Sequence, residues 1–134
     1  MGPHIVSAFD DDLIAVQGKI SEMGGLAEEL LRNALEAVQN RDAEMAAQVR
    51  ERDKVLDALE LELETMATRV IALRQPMAQD LRVLISALKI ASTLERIGDL
   101  AKNIARRAAY LANARPVKIS HSIVNMGQAT LAQL

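Results

Sequence analysis

Three long stretches of this chain carry apolar residues at alternating spacings of four and three, a pattern that little except a bundle of long helices can satisfy. In the first stretch Phe9, Leu13, Val16, Ile20, Met23, Ala27, Leu30 and Ala34 keep that rhythm. Its 3.5-residue period holds one face of a helix against its neighbours along the whole length. The second stretch runs through Met45, Val49, Arg52, Leu56, Leu59, Leu63, Met66, Val70 and Leu73, with Arg52 the one charged seam position. In the third, Val83, Ala87, Ile90, Leu94, Ile97, Ala101, Ile104, Ala108 and Leu111 repeat it. Leu84, Leu88 and Ala91 widen that last face, as contact with two neighbours requires.

Turn signals separate the stretches. Asn40-Arg41-Asp42 ends one helix and offers Asp42 as the N-cap of the next. Gln75-Pro76 ends the second, because proline disfavours helix in the residue before it yet suits a first helical turn. Asn113-Ala114-Arg115-Pro116 closes the third. The spacing therefore predicts helices over about 5–39, 42–74 and 76–113, the first of them about 52 Å long. Short connections make them an all-α, up-down-up antiparallel three-helix bundle. Gly24 and Gly25 interrupt the first helix at a cost of roughly 1 kcal/mol each, and their size predicts a close approach by a neighbouring backbone.

Beyond the bundle the composition shifts. Residues 117–134 hold Lys118 as their one charged side chain, apart from the neutral His121, and Val124, Gly127, Leu131 and Leu134 keep a 3-4-3 spacing. This predicts the beginning of a fourth helix. Alone it would expose Ile119, Ile123, Val124, Met126, Leu131 and Leu134, so self-association through this segment is expected.

Several function classes fall on composition. Sixteen Lys and Arg against eighteen Asp and Glu give a net charge of −2, so no strongly basic surface draws nucleic acid. Phe9 and Tyr110 are the only aromatics, too few to stack single strands. Without cysteine there is no thiol chemistry or thiolate zinc site. No apolar run reaches membrane-spanning length, and a cytoplasmic location is expected. His4 lies at the start and His121 sits between Ser120 and Ser122; adjacency in sequence is not a triad, and no turn presents a serine nucleophile. Neither histidine follows a glutamate by three, as a ferritin-like dimetal site needs. The chain is not expected to be an enzyme.

Carboxylates are the informative feature. Asp53 and Asp57 stand four apart on the second helix, Glu60 and Glu64 continue their row, and Glu95 and Asp99 stand four apart on the third. Like charges at that spacing cost an isolated helix roughly 0.2–0.5 kcal/mol per pair, so something should offset them. Residues equally far from the Pro76 turn lie level in the folded pair, which puts Asp57 beside Glu95 and Asp53 beside Asp99. Heptad positions place the group on the bundle surface, with Asp99 turned furthest toward solvent. Oxygen-only clusters suit hard cations such as Mg²⁺, Ca²⁺, Mn²⁺ or iron. The competing reading is a solvated acidic face on a helical oligomerisation module, with Arg52, Lys54, Arg96 and Lys102 as counter-ions.

One run is more specific. Gln75-Pro76-Met77-Ala78-Gln79-Asp80-Leu81-Arg82, followed by Leu88-Lys89 and Leu94-Glu95-Arg96-Ile97-Gly98-Asp99-Leu100-Ala101-Lys102-Asn103-Ile104, resembles the PhoU family. Phe9-Asp10, Met23-Gly24 and Arg52-Asp53-Lys54-Val55-Leu56-Asp57-Ala58-Leu59-Glu60 extend the likeness over the earlier helices. The resemblance implies a bacterial adaptor of phosphate homeostasis that works with the phosphate ABC transporter and a sensor histidine kinase, keeping phosphate-starvation genes off. It further implies a protein that is often dimeric, built from two similar three-helix bundles. Each bundle carries paired Asp/Glu-x-x-x-Asp motifs able to hold metal clusters. On this chain the motifs fall at Asp53/Asp57 and Glu95/Asp99. By the same likeness residues 5–115 are the first bundle and 117–134 the start of the second.

Overall fold

The computed structural model describes residues 3–113 and 121–133, and side chains over 8–113 and 127–133. Helix α1 spans Pro3–Asn40, α2 Ala43–Arg74, α3 Ala78–Ala112 and α4 His121–Ala132. The three long helices contact one another pairwise, and α4 contacts α1. Ion pairs fix the antiparallel sense of the first two: Glu29 meets Arg52, Lys19 meets Glu62 and Asp12 meets Arg74. Each is exposed enough to contribute about 1 kcal/mol at most, so they set register more than stability.

Stability comes from the seam. Met23, Leu30, Leu31, Leu56, Leu63 and Leu84 are fully buried, each worth about 1.5–3 kcal/mol before ordering costs. Every first-stretch seam residue named above is buried or half-buried on α1. On α3 the core instead takes Leu84, Ala87, Ala91, Leu94, Gly98, Ala101, Ile104, Ala105 and Ala108. Val83 and Ile90, expected in the seam, remain 40% and 49% exposed and line the groove between α1 and α3.

The α1–α2 turn is built by backbone hydrogen bonds. Arg41 lies in the left-handed region at φ 52, while Asp42 N–H donates to Ala37 O at 2.9 Å and Arg41 N–H to Val38 O at 3.4 Å. This is a Schellman closure with arginine where glycine is commonest. Asp42 then caps α2 as expected, accepting from Met45 N–H at 3.0 Å. The next turn differs from expectation. Gln75 adopts φ 47, Met77 is the extended N-cap of α3 and lacks a side-chain cap bond, so Pro76 precedes the helix instead of opening it.

Two further expectations need correction. A Cβ added at Gly24 or Gly25 would meet no atom within 4 Å, so neither glycine admits a neighbour. Gly25→Ala should therefore stabilise the chain by about 1 kcal/mol, read as a shift in urea midpoint at unchanged slope. The described fourth helix, His121–Ala132, lies within the expected 117–134, and it rests on α1. Gly127 is buried where a Cβ would strike the Leu35 side chain, and Leu131 packs on the core. Part of the strip expected to be uncovered is thus covered by the chain's own bundle. The side chains of Ser120, His121 and Ser122 lie outside the described residues, as do residues 114–116 of the expected closing turn.

Candidate functional site

The second and third helices bring the predicted carboxylates level. Asp53 lies against Gly98, and its Oδ2 is 3.9 Å from Lys102 Nζ. Glu95 feels Asp99 on its own helix, and Glu60 and Asp57 across the interface. Asp53, Asp57, Glu95 and Asp99 therefore share one stretch of the α2–α3 flank, and Glu60 joins them.

The depth of Asp53 was not expected. Sequence spacing puts Arg52 in the seam and Asp53 on the surface; the structure reverses this. Arg52 is exposed and holds Glu29 through both guanidinium nitrogens, at 2.6 and 3.2 Å. Asp53 is 2% exposed, the only charged residue among the described buried ones. Gly98 is the local cause. A Cβ there would stand 2.8 Å from Asp53 Oδ1 and closer still to Leu56 Cδ2, so glycine alone leaves room for a carboxylate between the helices. Such an approach is one that a helical glycine makes possible at a cost in propensity of about 1 kcal/mol.

Burial leaves polar atoms unsatisfied. Asp53 Oδ1 and Glu60 Oε2 are both inaccessible and accept no hydrogen bond. An unpaired buried acceptor costs roughly 1–3 kcal/mol, more when charged. Electrostatics follow. Burial first, then the neighbouring Asp57, raises the Asp53 carboxyl above its ordinary range, with Asp99 adding and Lys102 opposing. Glu60 is raised by burial and then by Glu64, Asp57 and Asp99. Glu95 is pushed up to about 7 by burial, by the charge and hydrogen bond of Asp99, and by Glu60 and Asp57. Asp57 and Asp99 are exposed, as their heptad positions predict, whereas burial and crowding make Asp53, Glu60 and Glu95 resist ionisation.

As the side chains stand, no group of three or more histidines or carboxylates among the described residues is disposed to hold a metal ion. The donor chemistry nonetheless fits a hard cation. All donors are carboxylate oxygens, two of them orphaned, and the one cation in reach, Lys102, stands beyond hydrogen-bond distance. Gly98 is the neighbour that spacing alone did not single out, whereas Lys102, one of the expected counter-ions, is the one that pairs with Asp53. The signal for Gly98 was available: Ala87, Ala91, Gly98, Ala101, Ala105 and Ala108 mark a small-residue face at helical period.

Among the described residues no helix is long and apolar enough to cross a membrane. The PhoU domain matches residues 20–108. The chain is 52% identical over 110 residues to a phosphate-specific transport system accessory protein PhoU homolog of Zymomonas mobilis, covering 82% of this chain and 46% of that one. To the corresponding Caulobacter vibrioides homolog it is 42% identical over 135 residues, covering 100% of this chain and 59% of the relative. The crystal structure of PhoU from Pseudomonas aeruginosa matches with a TM-score of 0.87 at 35% identity, over 92% of this chain and 60% of that one. The chain spans about half the length of the curated relatives it matches.

Proposed function

Since the chain belongs to the PhoU domain family, we propose that it serves as a regulatory adaptor in bacterial phosphate homeostasis. In this reading it acts in the cytoplasm beside the phosphate ABC transporter and a sensor histidine kinase, restraining the phosphate-starvation response, and does not itself catalyse. The relatives' names, accessory proteins of a phosphate-specific transport system, support the transporter side. Dimerisation belongs to the same reading, through surfaces other than the face of α4 that rests on Leu35; Val83 and Ile90 offer exposed apolar surface for it.

Metal binding through Asp53, Asp57, Glu95 and Asp99 is the second part of the proposal. The observation that carries it is Asp53: a carboxylate 2% exposed whose Oδ1 has no donor. A merely solvated acidic face would not bury one member with an oxygen left without a donor and its counter-ion Lys102 held at 3.9 Å, since desolvating a weakly paired charge is costly. Asp53, Asp57, Glu95 and Asp99 would hold a hard cation such as Mn²⁺, Mg²⁺ or iron, which would supply positive charge to the orphaned Asp53 oxygen and neutralise the carboxylates of α2 and α3.

Calorimetric titration of Mn²⁺ tests this. The double substitution Asp57→Asn with Glu95→Gln should weaken binding by about tenfold or more, roughly 1.4 kcal/mol. Without metal the same variant should be as stable as the parent or slightly more so, because repulsion is relieved. An apo variant that unfolds would mean the carboxylates hold the bundle together, and the metal reading would fall.

A further inference from the structure

Helix α3 repeats one doublet at seven-residue intervals: Arg82-Val83, Lys89-Ile90 and Arg96-Ile97. Seven residues are two helical turns, so the cations form one row and the β-branched residues a second row beside it. Ser86 and Thr93 fall between Val83, Ile90 and Ile97 and complete a second seam at spacings of three and four. Val83 and Ile90 are exposed, and Ile97 is half-buried. The side chains of Arg82, Lys89 and Arg96 are exposed and take no ion pair or hydrogen bond among the described residues. By contrast Lys19, Arg32, Arg52 and Arg74 each hold a carboxylate.

This second seam walls two grooves that meet at Ile90. One, of about 570 Å³, lies between α1 and α3, where Gln17, Ile20 and Ser21 stand across from Val83. The other, of about 410 Å³, lies between α3 and α4, with Thr130 and Gln133 across from Ile97. Arg82 and Lys89 are the only charged residues lining them, and neither lining includes an acid. The α1 side of the same lane already seats one helix of this chain, since α4 rests there with Gly127 against Leu35.

We propose that this lane docks a partner protein through one amphipathic helix with an acidic flank. The partner's apolar face would lie on Val83, Ile90 and Ile97, and its flank would set aspartate or glutamate opposite Arg82, Lys89 and Arg96. The concavity selects a helix, whose anchors at i, i+3, i+4 and i+7 enter such a groove. Charge selects the acidic flank, because a charged row one position before a β-branched seam row decides which helix is accepted. From Gln79 to Ile97 the lane is about 27 Å long, room for about five turns. A second copy of this chain docked by the same face competes for Val83 and Ile90 but brings the same cations to the contact, where like charges are costly. The proposal goes beyond the adaptor reading by naming the chemistry of a partner. It uses none of the carboxylates, so docking and metal binding fail independently.

The test is fluorescence anisotropy, with the whole chain titrated into labelled peptides of about five turns. One peptide carries leucine at its a and d positions and glutamate at e and g; the control replaces the glutamates with lysines. Saturable binding is expected for the glutamate peptide, and binding weaker by about tenfold or more for the lysine peptide. Arg82→Glu with Lys89→Glu, both at exposed and unpaired side chains, should keep the parent's circular dichroism and reverse that preference. Ile90→Ser should keep it too, and weaken the glutamate peptide about tenfold. Sedimentation of the peptide-free chain across concentration completes the set. A dimer that Ile90→Ser dissolves assigns the lane to a second copy and overturns the proposal. Equal binding of the two peptides overturns it, because the cations would then select nothing. Glutamate-peptide binding that Ile90→Ser leaves unchanged does the same, since the contact would lie elsewhere, and so does a chain that binds neither peptide.

Discussion

Gly98→Ala is expected to destabilise the bundle, although the same exchange at Gly25 stabilises it. Both glycines sit inside long helices, and at both the alanine methyl gains about 1 kcal/mol of helix propensity. What differs is the space. At Gly25 a Cβ meets nothing within 4 Å. At Gly98 it meets Leu56 Cδ2 and stands 2.8 Å from Asp53 Oδ1, and both residues are walled in at 2% exposure or less. Overpacking of that kind costs about 1–3 kcal/mol, and here the displaced group includes a carboxylate already short of a hydrogen bond. The net expectation is a loss of roughly 1–2 kcal/mol once propensity is subtracted. Urea midpoints of the two single variants, measured against the parent, would show shifts of opposite sign. Two shifts of the same sign would mean that α2 and α3 part easily at this level, and Asp53 would then have no enforced burial.

The contrast shows where one-dimensional patterns end. The 4-3 rhythm located every long helix, their number and their sense, because period and turn chemistry are local properties of the chain. Asp42 capped α2 for the same reason. The level of the carboxylates was also legible, since an antiparallel pair folded at a known turn has one register. Phase around the helix was not. Positions 52 and 53 are both charged, so hydrophobicity cannot choose which one faces inward. The choice is made 45 residues later, by the side chain missing at Gly98. Val83 and Ile90 fail for a related reason: β-branched residues at seam spacing read as core, whereas the fold leaves these two beside the groove between α1 and α3. Residue size at a contact distance is set by the partner helix, which no local window contains.

Ionisation of the buried carboxylates should make the metal-free chain lose stability as pH rises from about 5 to about 8, and bound Mn²⁺ should reverse that slope. Glu95 is pushed from its ordinary 4.5 up to about 7; Asp53 and Glu60 are raised as well. A carboxyl raised in the folded state holds its proton more firmly there than in the unfolded chain. Its contribution to stability is full below the unfolded value and is lost as pH climbs through the folded one. For Glu95 that window runs from 4.5 to about 7. Glu29 works in the other direction, held below its ordinary 4.5 by the hydrogen bonds and charge of Arg52. Its stabilisation is complete above that value and fades only as pH falls lower, so it does not offset the loss. A hard cation needs the deprotonated carboxylates, so the rise in pH that strains the empty rows strengthens the loaded ones. Urea midpoints taken across this window, once with chelator and once with saturating Mn²⁺, should slope in opposite directions. Glu95→Gln should flatten the chelator series most, because it removes the group with the highest titration while keeping its shape. A chelator series that is level in the parent chain would mean the rows are solvated and ionised throughout. The buried Asp53 would then carry its charge without cost, and the main physical reason to place a cation there would be gone.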